Sequence, residues 1–472
     1  MNDRLGIDGR QATASADGVH GHLDGTVILP SDPEYDSARS VWNGMIDRRP
    51  AMIVRCAGTD DVVTALAHAR ETGLTVTVRG AGHNVAGNAV GEGAMVIDLG
   101  DMSALEVDAD ARVARVGPGA HGAALDAATH AVGLATTGGT DSTTGVVGLT
   151  LGGGVGFLLR AHGLAADNLL GADVVLADGT QLHASETEHP DLFWALRGGG
   201  GSFGVVIAVE LQLHPIGPEI AVAQVFHPFH DAAEALRFYR DFTAAAPDEI
   251  GGYALAVNVP PLDAFPAETH GTTAVVLALS HAGSVEDGMR ELQPLCDFGT
   301  PLLSLLQPMA YPVLQQSFDA ANPAGKRYFW KSAYLLGMPD DAIEAFVAHA
   351  DPLPGPYSAA YFEALGGAFA RVDPSATAFP HRDAPYNFGL SAGWDSPEDD
   401  DAGIAWSRRL HAAMQPWATG GLYANYIGAD DVGRLEAAYG PNLGRLRQVK
   451  ERYDPDGVFG RFAEAPSTAP TG

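Results

Sequence analysis

Apolar residues recur along the chain in short runs separated by polar or glycine-rich stretches. The run AMIVRCA, residues 51–57, has the length of a buried strand. Thr59 follows as an N-cap candidate, with Asp60 and Asp61 in a first helical turn where the backbone dipole favours acids. Val62, Leu66 and Ala69 share one face of that helix, and Gly73 stops it. LTVTV (74–78), AMVIDL (94–99) and ARVARVGPG (111–119) predict further strands, and 121–132 another helix. The opening is therefore βαβ-like, and it runs into a glycine-rich loop, RGAGHNVAGNAVGEG. A second glycine cluster is GLTLGGGVGFL (148–158), and a third, RGGGGSFGVV (197–206), follows the short helix PDLFWAL. Near Pro215 the texture changes. Apolar runs such as EIAVAQVF and TTAVVLALS alternate with helical stretches such as DAAEALRFYRDFTAAA and DDAIEAFVAHA, which predicts an antiparallel sheet covered by helices. Residues 1–40 read as a polar segment, and 420–465 as a tail too short to fold alone.

Composition narrows the classes. The chain has 472 residues, 46% of them hydrophobic and 18% charged, enough to build a large core and too apolar for a disordered chain. No run has the ~18 uninterrupted apolar residues that a membrane helix needs. With 28 basic against 58 acidic residues the net charge is −30, so nucleic acid and anionic membrane surfaces are poor partners. Two cysteines, Cys56 and Cys296, make no disulfide framework. The first residues lack the charged and apolar regions of a signal peptide, which leads to the expectation of a cytoplasmic protein.

Glycine loops after strands let backbone N–H groups approach phosphates. A Rossmann fingerprint starts at Gly80-Ala81-Gly82, and Asp98 stands at a distance suited to a ribose contact. However, Val85 replaces the third glycine, and NVAGNAVGEG is too rich in glycine to be the helix that receives a pyrophosphate. His83 stands among residues without bulk, where an imidazole is free to meet a flat ring. No second ligand stands at metal-binding spacing, so no metal site is expected.

The loop RGAGHNVAG resembles the flavin-attachment loop of covalent flavoproteins of the vanillyl-alcohol oxidase superfamily. More narrowly it is similar to the berberine bridge enzyme-like branch and its bacterial 6-hydroxy-D-nicotine oxidase-like members. The segment 138–179, DLFWALRGGGGSFGVV (191–206), FPHRDAPYNF (379–388) and the tail YANYIGADD to YDPDGVF (423–459) resemble the same branch, in the same order. The resemblance implies an α+β fold with a two-part FAD-binding domain (41–215) and a substrate domain with an antiparallel sheet covered by helices (216–419). The tail 420–465 would return to the FAD domain. It implies an FAD-dependent oxidase: hydride passes from an alcohol, amine or hydroxylated ring to flavin N5, and dioxygen reoxidises the flavin to give hydrogen peroxide. The alternatives are a flavin dehydrogenase with another acceptor, or a flavin-binding protein without turnover.

By the same resemblance a ring nitrogen of His83 bonds to the 8-methyl group of FAD, and the backbone of Gly80, Ala81, Gly82, His83 and Asn84 holds the pyrophosphate. Arg79, Gly87, Gly138, Thr140, Thr143, Gly145, Gly148, Gly153, Gly154, Val206, Tyr423 and Asn425 match further cofactor-binding positions. Asp141 stands where some members carry a second, cysteinyl attachment, so attachment through histidine alone is implied. Thr144 matches a position that gates oxygen, and its small side chain favours an oxidase. Tyr426, after Asn425, matches the general base. A phenol with a pKa of ~10 is a poor base at neutral pH, so activation by the flavin or a cation is expected. His381 and Arg382 read either as a polar knot between domains or as site residues. Tyr361, Tyr386 and Trp394 are candidates for the substrate wall.

Overall fold

The computed structural model describes residues 23–431 and 434–460. Its first sheet contains β1 (Thr26–Ile28), β2 (Met52–Arg55), β3 (Val76–Arg79) and β4 (Met95–Asp98) in the order β1-β2-β4-β3. β4 runs parallel to both β2 and β3, whereas β1 is antiparallel to β2. The helix Thr59–Thr72 crosses from β2 to β3, packing Val62, Ala65, Leu66 and Ala69 on Met52, Val54, Met95 and Ile97. Gly73 ends it in the left-handed conformation, φ 70°. The N-cap differs from expectation: Gly58 is the capping residue, in an extended conformation, and Thr59 is already helical. Asp61 instead accepts the N–H groups of Asp24, Gly25 and Ala57, which ties the entering chain to the helix. β1 lies inside the segment read as polar. Its Val27 and Ile28 are buried, so the first sheet begins at residue 26 rather than beyond 40. Three residues are too few for a periodic pattern to register in sequence.

The second unit contains β5 (Leu105–Asp108), β6 (Val113–Val116), β7 (Leu134–Ala135), β8 (Leu169–Val175), β9 (Gln181–Ser185), β10 (Val205–Gln212) and β11 (His214–Pro215). Five of them form an antiparallel sheet in the order β5-β6-β10-β8-β9, and β7 pairs with β11. The helix Leu443–Tyr453 packs Leu443, Leu446, Val449 and Tyr453 into one core with Leu192, Phe193 and Trp194 of the helix Pro190–Leu196. The tail thus rejoins this sheet.

The third sheet contains β12 (Ile220–Pro228), β13 (Ile250–Asn258), β14 (Thr273–His281), β15 (Leu303–Met309), β16 (Arg327–Leu335), β17 (Ala359–Ala364) and β18 (Tyr386–Trp394). All are antiparallel, in the order β15-β12-β14-β13-β17-β18-β16. Side chains alternate across a strand, so each strand serves two faces. Ala254, Leu277, Phe362, Phe388 and Trp394 face a core built with the helices Ala232–Ala245, Asp340–Ala350 and Asp400–Met414. Tyr253, Leu255, Val276 and Tyr361 face the other way, against Phe157 and Leu158 from the second glycine cluster.

This alternation corrects two of the expected wall residues. Tyr386 and Trp394 lie on the helix side: Tyr386 Oη is 3.1 Å from Thr243 Oγ1, and Trp394 Nε1 donates to Asp400 Oδ1 at 2.8 Å. Tyr361 lies on the opposite face.

Candidate active site

β3 ends at Arg79, whose buried guanidinium donates to Asp98 through Nη2 (2.6 Å) and Nε (3.2 Å) and also binds the carbonyl of Ala38. Arg79 therefore anchors the loop from behind, and Asp98 is consumed by that pair and leaves no carboxylate for a ribose. Beyond it, the N–H groups of Gly80, Ala81, Gly82, His83 and Asn84 meet no acceptor among the described residues. A row of unpaired donors is what an anion needs.

A second loop, 138–145, closes on the first. A Cβ on Gly145 would stand 2.8 Å from the Cβ of Ala81, so only glycine allows this approach. It brings Thr143 and Thr144 to His83: Nε2 lies 2.9 Å from Thr143 Oγ1 and Nδ1 lies 3.4 Å from Thr144 Oγ1. The Thr143 hydroxyl donates on to Asp141 Oδ1 at 2.6 Å. The imidazole stacks on Trp42, with centroids 5.4 Å apart, and Trp42 stacks on Tyr328 of β16 at 4.0 Å. Burial, reinforced by His121, lowers the pKa of His83 to about 4, so the ring is neutral at physiological pH.

The other expected positions divide. Gly138 and Thr140 lie half-exposed in the second loop, and Gly148 is exposed. Gly87 lies behind the first loop, where its carbonyl accepts from Arg48 at 2.7 Å. Gly153 and Gly154 have φ 127° and 83°, and the N–H of Gly154 donates to the buried Tyr423 hydroxyl at 2.8 Å. Asn425 Nδ2 donates to that hydroxyl and to the Leu149 carbonyl, both at 2.9 Å. Tyr423 and Asn425 thus clamp the tail onto the second glycine cluster. Val206 is buried in the core of the second sheet, in one cluster with Val146 and Val147.

Tyr426 rests against Trp330, Tyr423 and Tyr361, at ring separations of 5.2, 4.7 and 6.3 Å. Its hydroxyl donates to Glu363 Oε1 at 2.7 Å, and Asn387 Nδ2 donates to Glu363 Oε2 at 2.6 Å. Glu363 is 2% exposed, and burial raises its pKa to about 7. Burial and the Glu363 charge push the Tyr426 phenol well above its ordinary value. Activation of this phenol by the flavin or a cation was expected, and no cation is bonded to it among the described residues. The group bonded to the phenol is instead the Glu363 carboxyl, an acceptor for the phenol proton. Glu363, Asn387, Trp42 and Trp330 were not singled out in sequence. The available signal was one acid in the apolar run AAYFEA, at a position sharing a face with Tyr361.

Arg382 and His381 form a structural knot. Arg382, 1% exposed, makes two 2.7 Å bonds to Asp167 of the turn Ala165–Asn168. His381 Nε2 lies 3.0 Å from the carbonyls of Ala437 and Ala438. Cys56 is buried in the first core, and Cys296 lies on the helix Val285–Asp297. Among the described residues no metal-binding cluster occurs, and no helix is long and apolar enough to cross a membrane.

Comparison with known proteins accounts for this arrangement. Residues 50–185 match the FAD binding domain family, and residues 422–462 the family described as berberine and berberine like. An FAD-linked oxidoreductase of Bacillus subtilis, YgaK, is 28% identical over 453 residues, covering 94% of this chain and 97% of that one. The structure of 6-hydroxy-D-nicotine oxidase from Arthrobacter nicotinovorans superposes with a TM-score of 0.82 at 28% identity, over 94% of this chain and 98% of that one. Glucooligosaccharide oxidase from Acremonium strictum, whose structure is described with a 6-S-cysteinyl, 8α-N1-histidyl FAD, gives 0.82 at 25% identity, over 95% and 98%. The fold is of the vanillyl-alcohol oxidase type. The chain carries an FAD binding domain and a berberine-like segment, it is an FAD-linked oxidoreductase similar to berberine bridge enzyme-like proteins, and FAD is its cofactor. The residues fit that group: five unpaired N–H donors suit a pyrophosphate, and a Cβ on Gly148 would meet nothing within 4 Å, leaving room beside the loop.

Proposed function

We propose that this enzyme oxidises a small molecule bearing an alcohol, an amine or a hydroxylated ring, with FAD held by a bond to His83. FAD, when bound, supplies the hydride acceptor, and dioxygen takes those electrons off as hydrogen peroxide. The chain supplies the rest. Gly80–Asn84 offer N–H donors to the pyrophosphate, and the neutral His83 offers a ring nitrogen for attachment. Tyr361, Tyr253 and Trp330 offer apolar ring faces to a planar or ring-shaped substrate.

The observation that carries this reading is the bond from Tyr426 Oη to Glu363 Oε1. Hydride leaves a carbon readily only as the adjacent O–H or N–H loses its proton, because a cationic product is costly in a dry site. Tyr426 takes that proton at its oxygen while its own proton moves to Glu363. Asn387 holds the carboxylate in line. The name of 6-hydroxy-D-nicotine oxidase supports a hydroxylated, amine-bearing ring, and that of glucooligosaccharide oxidase a sugar alcohol.

The test is a panel of hydroxylated N-heterocycles, sugars and aryl alcohols, read both as anaerobic bleaching of the flavin and as peroxide release in air. Bleaching together with peroxide is the expected result. Bleaching that persists in air would mean another electron acceptor, and no bleaching by any of the three classes would overturn the proposal.

A further inference from the structure

We propose that Asp141 and Thr143 are the device that fixes the tautomer of His83 and takes its proton while the flavin bond forms. This rests on the attachment reading above and deepens it. Asp141 stands where some relatives place a second attachment cysteine, and it has a different task here.

The hydrogen bonds allow one arrangement. The Thr143 hydroxyl has a single proton, and it goes to Asp141 Oδ1 at 2.6 Å. Its oxygen, 2.9 Å from His83 Nε2, must then accept, so the imidazole proton lies on Nε2. That leaves the Nδ1 lone pair as the nucleophile. Its one neighbour among the described polar groups is the Thr144 hydroxyl at 3.4 Å, a long and easily displaced contact. Trp42 stacks on the ring and holds its plane. The histidyl linkage named for glucooligosaccharide oxidase is at N1, the nitrogen that this tautomer leaves free.

The chemistry balances as follows. Nδ1 of His83 forms an N–C bond to the 8-methyl carbon of FAD, and one methyl C–H bond breaks. The electron pair of that bond remains on the flavin, which becomes two-electron reduced as its anion and takes up the methyl proton, while the imidazole proton goes to Asp141 and is given back when the flavin is reoxidised. Dioxygen then removes two electrons and two protons as hydrogen peroxide. As Nδ1 is alkylated the imidazole becomes cationic. Its Nε2 proton leaves to the Thr143 oxygen, and the Thr143 proton passes to Asp141. Asp141 is thus a positioning and proton-accepting residue acting through Thr143.

A rival account is that the Asp141–Thr143 contact only shapes the loop. The Thr143 N–H also donates to Asp141 Oδ1, at 3.0 Å, as in an Asx turn. Two substitutions separate the accounts. Thr143→Val keeps this backbone bond and removes the hydroxyl. Asp141→Asn keeps the turn, since asparagine favours it, and removes the charge. Thr143→Ser should rescue.

The experiment uses the full chain produced under flavin starvation and then supplied with FAD in air. Covalent flavin is read by intact mass and by colour retained after acid precipitation, and bound but unattached flavin by what acid releases. The expectation is that Asp141→Asn and Thr143→Val bind FAD but attach it about a hundredfold more slowly, within the usual range for a lost proton acceptor. Thr143→Ser should attach at nearly the parental rate. Parental rates in both variants would overturn the proposal. So would a loss of FAD binding in Asp141→Asn, which would make the residue a cofactor ligand. Covalent flavin persisting in His83→Ala would instead overturn the attachment reading itself, and is distinguishable because only the histidine variant is then informative.

Discussion

The Tyr426 hydroxyl points at the Glu363 carboxylate, 2.7 Å away, across the junction between the tail and the third sheet. Glu363 in turn is held by Asn387 from the neighbouring strand β18. A buried acid facing a phenol makes the phenol harder to ionise, as its raised pKa reflects. In the proposed function the pair works as a relay, the tyrosine oxygen taking the substrate proton and the carboxylate standing one hydrogen bond behind it.

Tyr426→Phe keeps the ring and its packing on Trp330 and Tyr423 but removes the relay oxygen. The rate of anaerobic flavin reduction should fall by about 10²–10⁴-fold with flavin content unchanged. Stopped-flow bleaching with a turned-over substrate checks this. Reduction within about threefold of the parent would move the proton acceptor elsewhere.

The Arg382–Asp167 pair is almost fully buried, with side-chain exposures of 1% and 7%. Removing one partner of such a pair leaves a lone buried charge, at a cost of about 3–5 kcal/mol. Asp167→Asn should lower the unfolding midpoint in denaturant accordingly, and the variant that does fold should turn over with parental rate constants. A midpoint unchanged from the parent would mean that the guanidinium finds other partners, with the carbonyls of Phe369 and Phe379 already near it.

Thr144 stands beside His83, with Oγ1 3.4 Å from Nδ1, the nitrogen assigned above to the flavin bond. If its small side chain leaves a path for dioxygen, Thr144→Leu should slow reoxidation of the reduced flavin and leave anaerobic reduction nearly unchanged. Separate measurement of the two half-reactions, in protein confirmed to hold covalent flavin, decides it. Equal slowing of both would make Thr144 part of the substrate pocket.

Much of the site was legible in sequence because glycine loops and a histidine among them are local signals. The three glycine clusters, His83, and the Asn425-Tyr426 pair need no partner to be noticed. What was hidden depends on pairing across the third sheet. Tyr361, Glu363 and Asn387 come together because β17 and β18 are adjacent with Glu363 opposite Asn387, and strand order and register leave little trace in a single sequence. The same alternation put Tyr386 and Trp394 behind the sheet, although as isolated aromatics they read as wall residues. Trp42 went unnoticed for a related reason: it follows a short strand and helix in a segment that looked polar, and its role appears only where β16 brings Tyr328 against it. Arg79 and Asp98 show the reverse case. The distance of Asp98 from the first glycine loop suited a ribose contact, but Asp98 on β4 lies beside Arg79 on β3 and the two neutralise each other.

The most direct test is the pH dependence of anaerobic flavin reduction in the parent and in Glu363→Gln. Burial raises the Glu363 pKa to about 7, and the carboxylate accepts a proton only when ionised. The parental rate should therefore rise with pH through about 7 and level off above it, and fall about tenfold per unit on the acid side. Glu363→Gln should be slower by about a hundredfold or more on the plateau and should lose the acid limb. A Glu363→Gln enzyme that reduces its flavin at close to the parental rate and keeps an acid limb near pH 7 would contradict the relay from Tyr426 to Glu363.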